Sequence, residues 1–285
     1  MCDSEIHPGL IETSGLSRRA VMLTGVAVAG AATAGFADSV VEKDVTITTP
    51  DGSADAALFH PAGKGPWPGV LVWPDILGLR PVFRDMGRRL AAAGYVVLVP
   101  NPFYRSKRAP VVDGAFDFSK PEDRSKVMAM RAAMTDAGID KDATAFVTFL
   151  NTQPQTDKRR KMGVQGYCMG GPLSFRTAAA MPDRIGAVGS FHGAGLVTAE
   201  PSSPHLLIAK TKAAYLVAIA KNDDAKQPDA KTVLRTTFAK DKRKATVEVY
   251  PGDHGWCVPG SAVYNEAAAE KAWAELLKLY KAALV

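Results

Sequence analysis

The chain has 285 residues, 47% of them hydrophobic and 22% charged, which are the proportions of a globular protein with enough length to bury a large core. These values exclude a disordered chain and a membrane-embedded bundle. The formal net charge of +6 is spread along the sequence. Its densest run, Lys158-Arg159-Arg160-Lys161, precedes an apolar stretch and reads as a solvated loop, with no nucleic-acid-binding motif beside it.

At the N-terminus, Ser17 and the pair Arg18-Arg19 precede an apolar run from Ala20 to Phe36, built largely of Ala, Gly and Val and closing on the small residue Ala37. A basic pair, a short weakly apolar core and a small-residue cleavage site predict an export signal over residues 1–37. The arginine pair resembles a twin-arginine signal, with Val21 where phenylalanine is usual. The mature protein, from Asp38, is then periplasmic or otherwise exported, with no membrane span. An uncleaved N-terminal anchor is the alternative, but the run falls short of the roughly 20 apolar residues that span a bilayer. Removing the signal also removes Cys2 and leaves Cys168 and Cys257, which is no disulfide framework.

From Val41 onward strand-like and helix-like patterns alternate. Val45–Thr49 and Ala56–His60 flank an Asp51-Gly52 turn signal and read as a hairpin. Pro68–Trp73 is a short, β-branched apolar run of the kind found in buried parallel strands. A helix over 82–93 ends at Gly94, and Tyr95–Pro100 is a further buried strand. Helical patterns follow over 121–135 and 140–152, then a strand at Met162–Gly166 and a helix at Met169–Ala180. Strands at 185–191, 213–220 and Thr246–Tyr250 and a helix at 266–283 complete the chain. Strands alternating with long helices predict one α/β domain over 38–285, a mostly parallel sheet with helices on both faces. With its leading antiparallel hairpin, the pattern suits an α/β-hydrolase.

The segment "GYCMGG" (166–171) puts Cys168 between a strand and a helix, flanked by Gly166 and Gly170, as a nucleophile elbow requires. An α/β-hydrolase carries its triad in the order nucleophile, acid, histidine. Asp223 and Asp224 follow the strand at 213–220, and His254 follows the strand at Thr246–Tyr250. Cys168, His254 and one of the two aspartates therefore gather at one sheet edge, with Asp223 preferred because it lies nearer its strand. In this arrangement His254 takes the thiol proton and later protonates the leaving group, while the aspartate fixes the imidazole tautomer.

With "PDILGL" (74–79), "NDD" (222–224) and "YPGDHGW" (250–256), the "GYCMGG" segment resembles the dienelactone hydrolases, the carboxymethylenebutenolidase family. The likeness spans nearly all of the chain after the signal, and "SFHG" (190–193) and "SPH" (203–205) recur in one branch of that family. It implies a Cys-Asp-His enzyme that opens lactones or esters without cofactor or metal. It further implies an oxyanion hole from the Ile76 and Met169 backbone N–H groups. Asp75 matches the family's thiolate-activating glutamate, one methylene shorter. The family's carboxylate-binding arginine after the histidine is missing, since Val258 stands there. Arg105, Tyr104, His192 and Trp256 are the candidate substrate contacts, and a broader ester or lactone specificity is expected.

The five histidines are scattered and no phosphate-binding glycine loop occurs, so no metal or cofactor is predicted. Two other readings use the same cysteines: a reversible Cys168–Cys257 redox pair, or an inactive scaffold that binds a small ligand in the cleft.

Overall fold

The computed structural model describes residues 40–112, 114 and 116–285; the predicted export segment lies outside the described residues. Eight strands form one sheet: β1 (Val40–Thr49), β2 (Gly52–Pro61), β3 (Gly69–Trp73), β4 (Val96–Pro100), β5 (Met162–Tyr167), β6 (Ile185–Phe191), β7 (Ala214–Ala220) and β8 (Ala245–Tyr250). Their spatial order is β1-β2-β4-β3-β5-β6-β7-β8. β1 pairs antiparallel with β2 and β2 antiparallel with β4, and every pairing beyond is parallel. The hairpin is longer than its apolar pattern suggested. Glu42, Lys43 and Asp44 pair through their backbones, and the carboxylates of Glu42 and Asp44 meet Arg84 from outside.

Helices α1 (Pro81–Ala92), α2 (Pro121–Ala132), α3 (Asp136–Thr152), α4 (Gly170–Ala180), α5 (Pro204–Leu207), α6 (Lys221–Lys226), α7 (Ala230–Lys240) and α8 (Glu266–Ala283) connect and cover the strands. Side chains alternate across the sheet, so each strand serves both faces. In β3, Leu71 and Trp73 pack with Phe146 of α3 and Phe175 of α4. Val70 and Val72 pack on the opposite face with Phe83 of α1 and Tyr280 of α8. Burial on both faces explains why the parallel strands read as continuous apolar runs. Among the described residues no helix is long and apolar enough to cross a membrane.

α6 and α7 occupy the connection between β7 and β8. α6 is rich in Asn and Asp, which favour turns in isolation and lower its helical signal.

Candidate active site

β5 ends at Tyr167 and α4 begins at Gly170, which leaves Cys168 and Met169 to turn the chain. Cys168 takes a left-handed backbone (φ 52), uncommon for a residue with a Cβ. Its N–H donates to Phe191 O at 3.0 Å and its carbonyl accepts from Gly171 N–H at 3.0 Å, so the turn is tied to β6 and to its own helix. A Cβ on Gly166 would overlap the Gly170 carbonyl and stand 2.9 Å from Gly171 N. A Cβ on Gly170 would stand 2.7 Å from Pro74 O and closer still to Trp73 O. Both glycines are required by close approach, and the second presses the start of α4 against the loop that follows β3.

His254 lies on the loop after β8, and its backbone N–H donates to Asn222 Oδ1 at 2.8 Å. Its Nδ1 is 2.7 Å from Asp223 Oδ2, in the first turn of α6 rather than on an open loop. Asp224 turns away to Lys231, with its oxygens 2.7 and 2.9 Å from Nζ, so of the two candidate aspartates Asp223 meets the histidine. On its other side His254 hydrogen-bonds with Cys168. Burial disfavours the imidazolium, but negative charge at Cys168 and the hydrogen bonds with Asp223 and Cys168 outweigh it and push His254 up to about 10. Cys168 and His254 are both buried. Sulfur, imidazole and carboxylate thus form one hydrogen-bonded line.

The Ile76 and Met169 backbone N–H groups, on the two segments that Gly170 brings together, have no acceptor among the described residues. Met169 caps the N-terminus of α4, where the helix leaves its first N–H groups without intrahelical partners. Asp75 lies fully buried on the loop after β3. Its carboxylate accepts from Arg80 Nη1 at 2.6 Å, from Arg80 Nη2 at 2.9 Å and from Leu77 N–H at 2.9 Å.

Of the four expected substrate contacts, Arg105 and Tyr104 are engaged with other side chains and Trp256 is buried beside the site. Arg105 donates to Asp142 from both terminal nitrogens (2.6 and 2.8 Å) and to Asp51 at 2.7 Å. Tyr104 bonds with Thr49 and Asp142, at 2.7 and 2.8 Å, and burial together with the Asp142 interaction raises it to about 12. These two residues bind α3 to the β1–β2 turn. Trp256 is fully buried and stacks on Tyr250, 4.7 Å between ring centroids, as a core residue. His192, also fully buried, does reach the site, with its ring centroid 4.8 Å from that of His254. Cys257 is a free, buried thiol, and burial raises it well above the ordinary range.

Sequence reasoning missed two participants. Asn222 precedes Asp223 directly, and Arg80 follows Asp75 by five residues. Only the order of loop residues could have suggested either.

An eight-stranded, mostly parallel sheet with a strand–turn–helix elbow and an acid–histidine pair at its C-terminal edge defines an α/β-hydrolase. The profile of the dienelactone hydrolase family matches residues 54–284, so the chain belongs to that family and is a hydrolase. Carboxymethylenebutenolidase 1 of Cupriavidus pinatubonensis is 26% identical over 243 residues, covering 84% of this chain and 97% of its own. A Synechocystis protein provisionally named a carboxymethylenebutenolidase is 28% identical over 248 residues, covering 85% and 98%. The fold is also that of P91, a dienelactone hydrolase-like promiscuous phosphotriesterase from metagenomic libraries, with a TM-score of 0.70 and 22% identity over 87% of this chain and 100% of P91.

Proposed function

We propose that this protein hydrolyses carboxylic esters or lactones with Cys168 as the nucleophile. The observation that carries the reading is the line from Asp223 through His254 to Cys168 at the elbow. The Cys168 thiolate attacks the substrate carbonyl, and the Ile76 and Met169 N–H groups stabilise the oxyanion, each donor being worth about 3–4 kcal/mol in comparable hydrolases. The tetrahedral intermediate collapses to a thioester as His254 Nε2 protonates the leaving alkoxide. His254 then takes a proton from water, which attacks the thioester and releases the acid and the thiol. Asp223 keeps the proton on Nδ1 and stabilises the imidazolium. Asp75 assists thiolate formation only after it is released from Arg80.

The carboxymethylenebutenolidase names of the relatives support lactones among the substrates. Arg105 is committed to Asp142 and Asp51, and Arg80 to Asp75, so neutral esters and lactones suit the site better than anionic ones. Export through residues 1–37 completes the proposal; a periplasmic protein whose mass begins at Asp38 is its expected form.

The test is hydrolysis of short-chain nitrophenyl esters by wild type and Cys168→Ala, with a neutral and a carboxylate-bearing acyl group compared. Activity that vanishes in the variant and favours the neutral ester is expected. Undiminished hydrolysis by Cys168→Ala would remove the nucleophile assignment.

A further inference from the structure

Three non-glycine residues among those described have a left-handed backbone: Cys168 (φ 52), His192 (φ 39) and Lys242 (φ 54). Two of these three flank the same imidazole. An L-residue with a Cβ occupies this region at a cost, and such outliers concentrate where the surroundings hold a side chain in one required direction. The two turns are joined directly, because Cys168 N–H donates to Phe191 O, the carbonyl immediately before His192. His192 N–H in turn donates to Ala218 O at 2.8 Å, which fastens the end of β6 to β7. The backbone that aims the sulfur and the backbone that aims the second imidazole are therefore one hydrogen-bonded unit.

The His192 ring is fully buried, with its centroid 4.8 Å from that of His254 and their planes at 65°, an edge-to-face arrangement. The Tyr167 and Trp256 rings also neighbour it, with centroids 6.2 and 6.4 Å away. Asp223 fixes one nitrogen of His254, and Cys168 meets it on the other side.

We infer that His192 is a positioning residue whose ring, wedged edge-to-face against His254, holds that imidazole in the plane joining Asp223 to Cys168. This rests on the Cys168 mechanism above and assigns His192 a role by packing, not by contact with substrate or by proton transfer. The groups facing His254 are Cys168 from the elbow, Asp223 from α6 and His192 from the end of β6, with the Tyr167 ring neighbouring His192.

The experiment compares His192→Ala, His192→Asn and His192→Phe for kcat and KM on a nitrophenyl ester, for the pH dependence of Cys168 alkylation by iodoacetamide, and for Tm. Removing the ring should lower kcat by about 100-fold in the Ala and Asn variants, the usual consequence of a small misplacement, with KM nearly unchanged. Their Cys168 alkylation profile should depart from that of wild type, because His254 is no longer held against the sulfur. His192→Phe, which keeps a ring without nitrogen, should recover most of both. Wild-type kcat and alkylation in folded His192→Ala would overturn the inference, and so would an Asn variant that outperforms Phe. The alkylation profile needs no substrate: if no ester is turned over but the profile still departs from wild type, the positioning role stands while the hydrolytic reading fails.

Discussion

Replacing Gly170 by Ala tests whether the seam between α4 and the loop after β3 is the oxyanion hole. The new Cβ would lie 2.7 Å from Pro74 O and closer to Trp73 O, whereas such contacts essentially never fall under 3.0 Å. Both obstacles are backbone atoms, so no side chain can turn aside, and the seam must open by at least 0.6 Å (from 2.4 to 3.0 Å at Trp73 O). Met169 sits on one side of that seam and Ile76 on the other, so their N–H groups cannot both keep their aim on one oxygen. Losing a single oxyanion donor costs roughly 100- to 1,000-fold in kcat. A fall of about 100-fold is therefore expected, with KM changed far less. Overpacking should also cost about 1–3 kcal/mol, partly offset by the better helix propensity of Ala, worth about 1 kcal/mol. Steady-state kinetics on a nitrophenyl ester, beside thermal unfolding, measures both. A folded Gly170→Ala enzyme with kcat within about threefold of wild type would refute the placement of the hole.

Asp223→Asn should keep the fold and lower kcat by about 1,000- to 10,000-fold, because an amide can hold His254 in the wrong tautomer; an Asp224→Asn control should stay near wild type, since that carboxylate pairs with Lys231. Asp142→Ala should act on stability instead, leaving Arg105 and Tyr104 without their buried partner at a cost of about 3 kcal/mol, or a Tm about 6–12 °C lower, with kcat nearly unchanged. His254 is raised from 6.5 to about 10 on folding, so its imidazolium contributes stability that is complete below pH 6.5 and is lost as pH rises through 10. Thermal unfolding should show Tm falling across that window. Cys168→Ala, which removes the negative charge that supports the imidazolium, should flatten the slope.

The strands that build the sheet were legible because burial on both faces demands runs of Val, Leu and Ile, and such runs stand out between glycine- and proline-rich turns. The polar start of β1 was not, because Glu42 to Asp44 are held by backbone pairing and by arginines of a later helix. Chain order alone brought Cys168, His254 and an aspartate to one edge, since every parallel strand delivers its following loop to the same side. Which aspartate meets the imidazole depended on the winding of α6, a six-residue helix with turn-forming composition. Arg105 and Trp256 both have buried neighbours that the sequence does not reveal. Nearness to a strand end says nothing of which way a side chain faces, and both turned to buried partners. Asp75 was located correctly on its loop, but the cation that holds it there, Arg80, was legible only in three dimensions.

The central claim is that Cys168 carries the acyl group. It is tested most directly by mixing enzyme with excess nitrophenyl acetate, quenching in acid within milliseconds, and mapping the peptides by mass spectrometry. An acetyl thioester on the peptide containing Cys168, absent in Cys168→Ala, is the predicted result. Turnover with the acetyl group on another residue, or with Cys168 never acylated, would contradict the account.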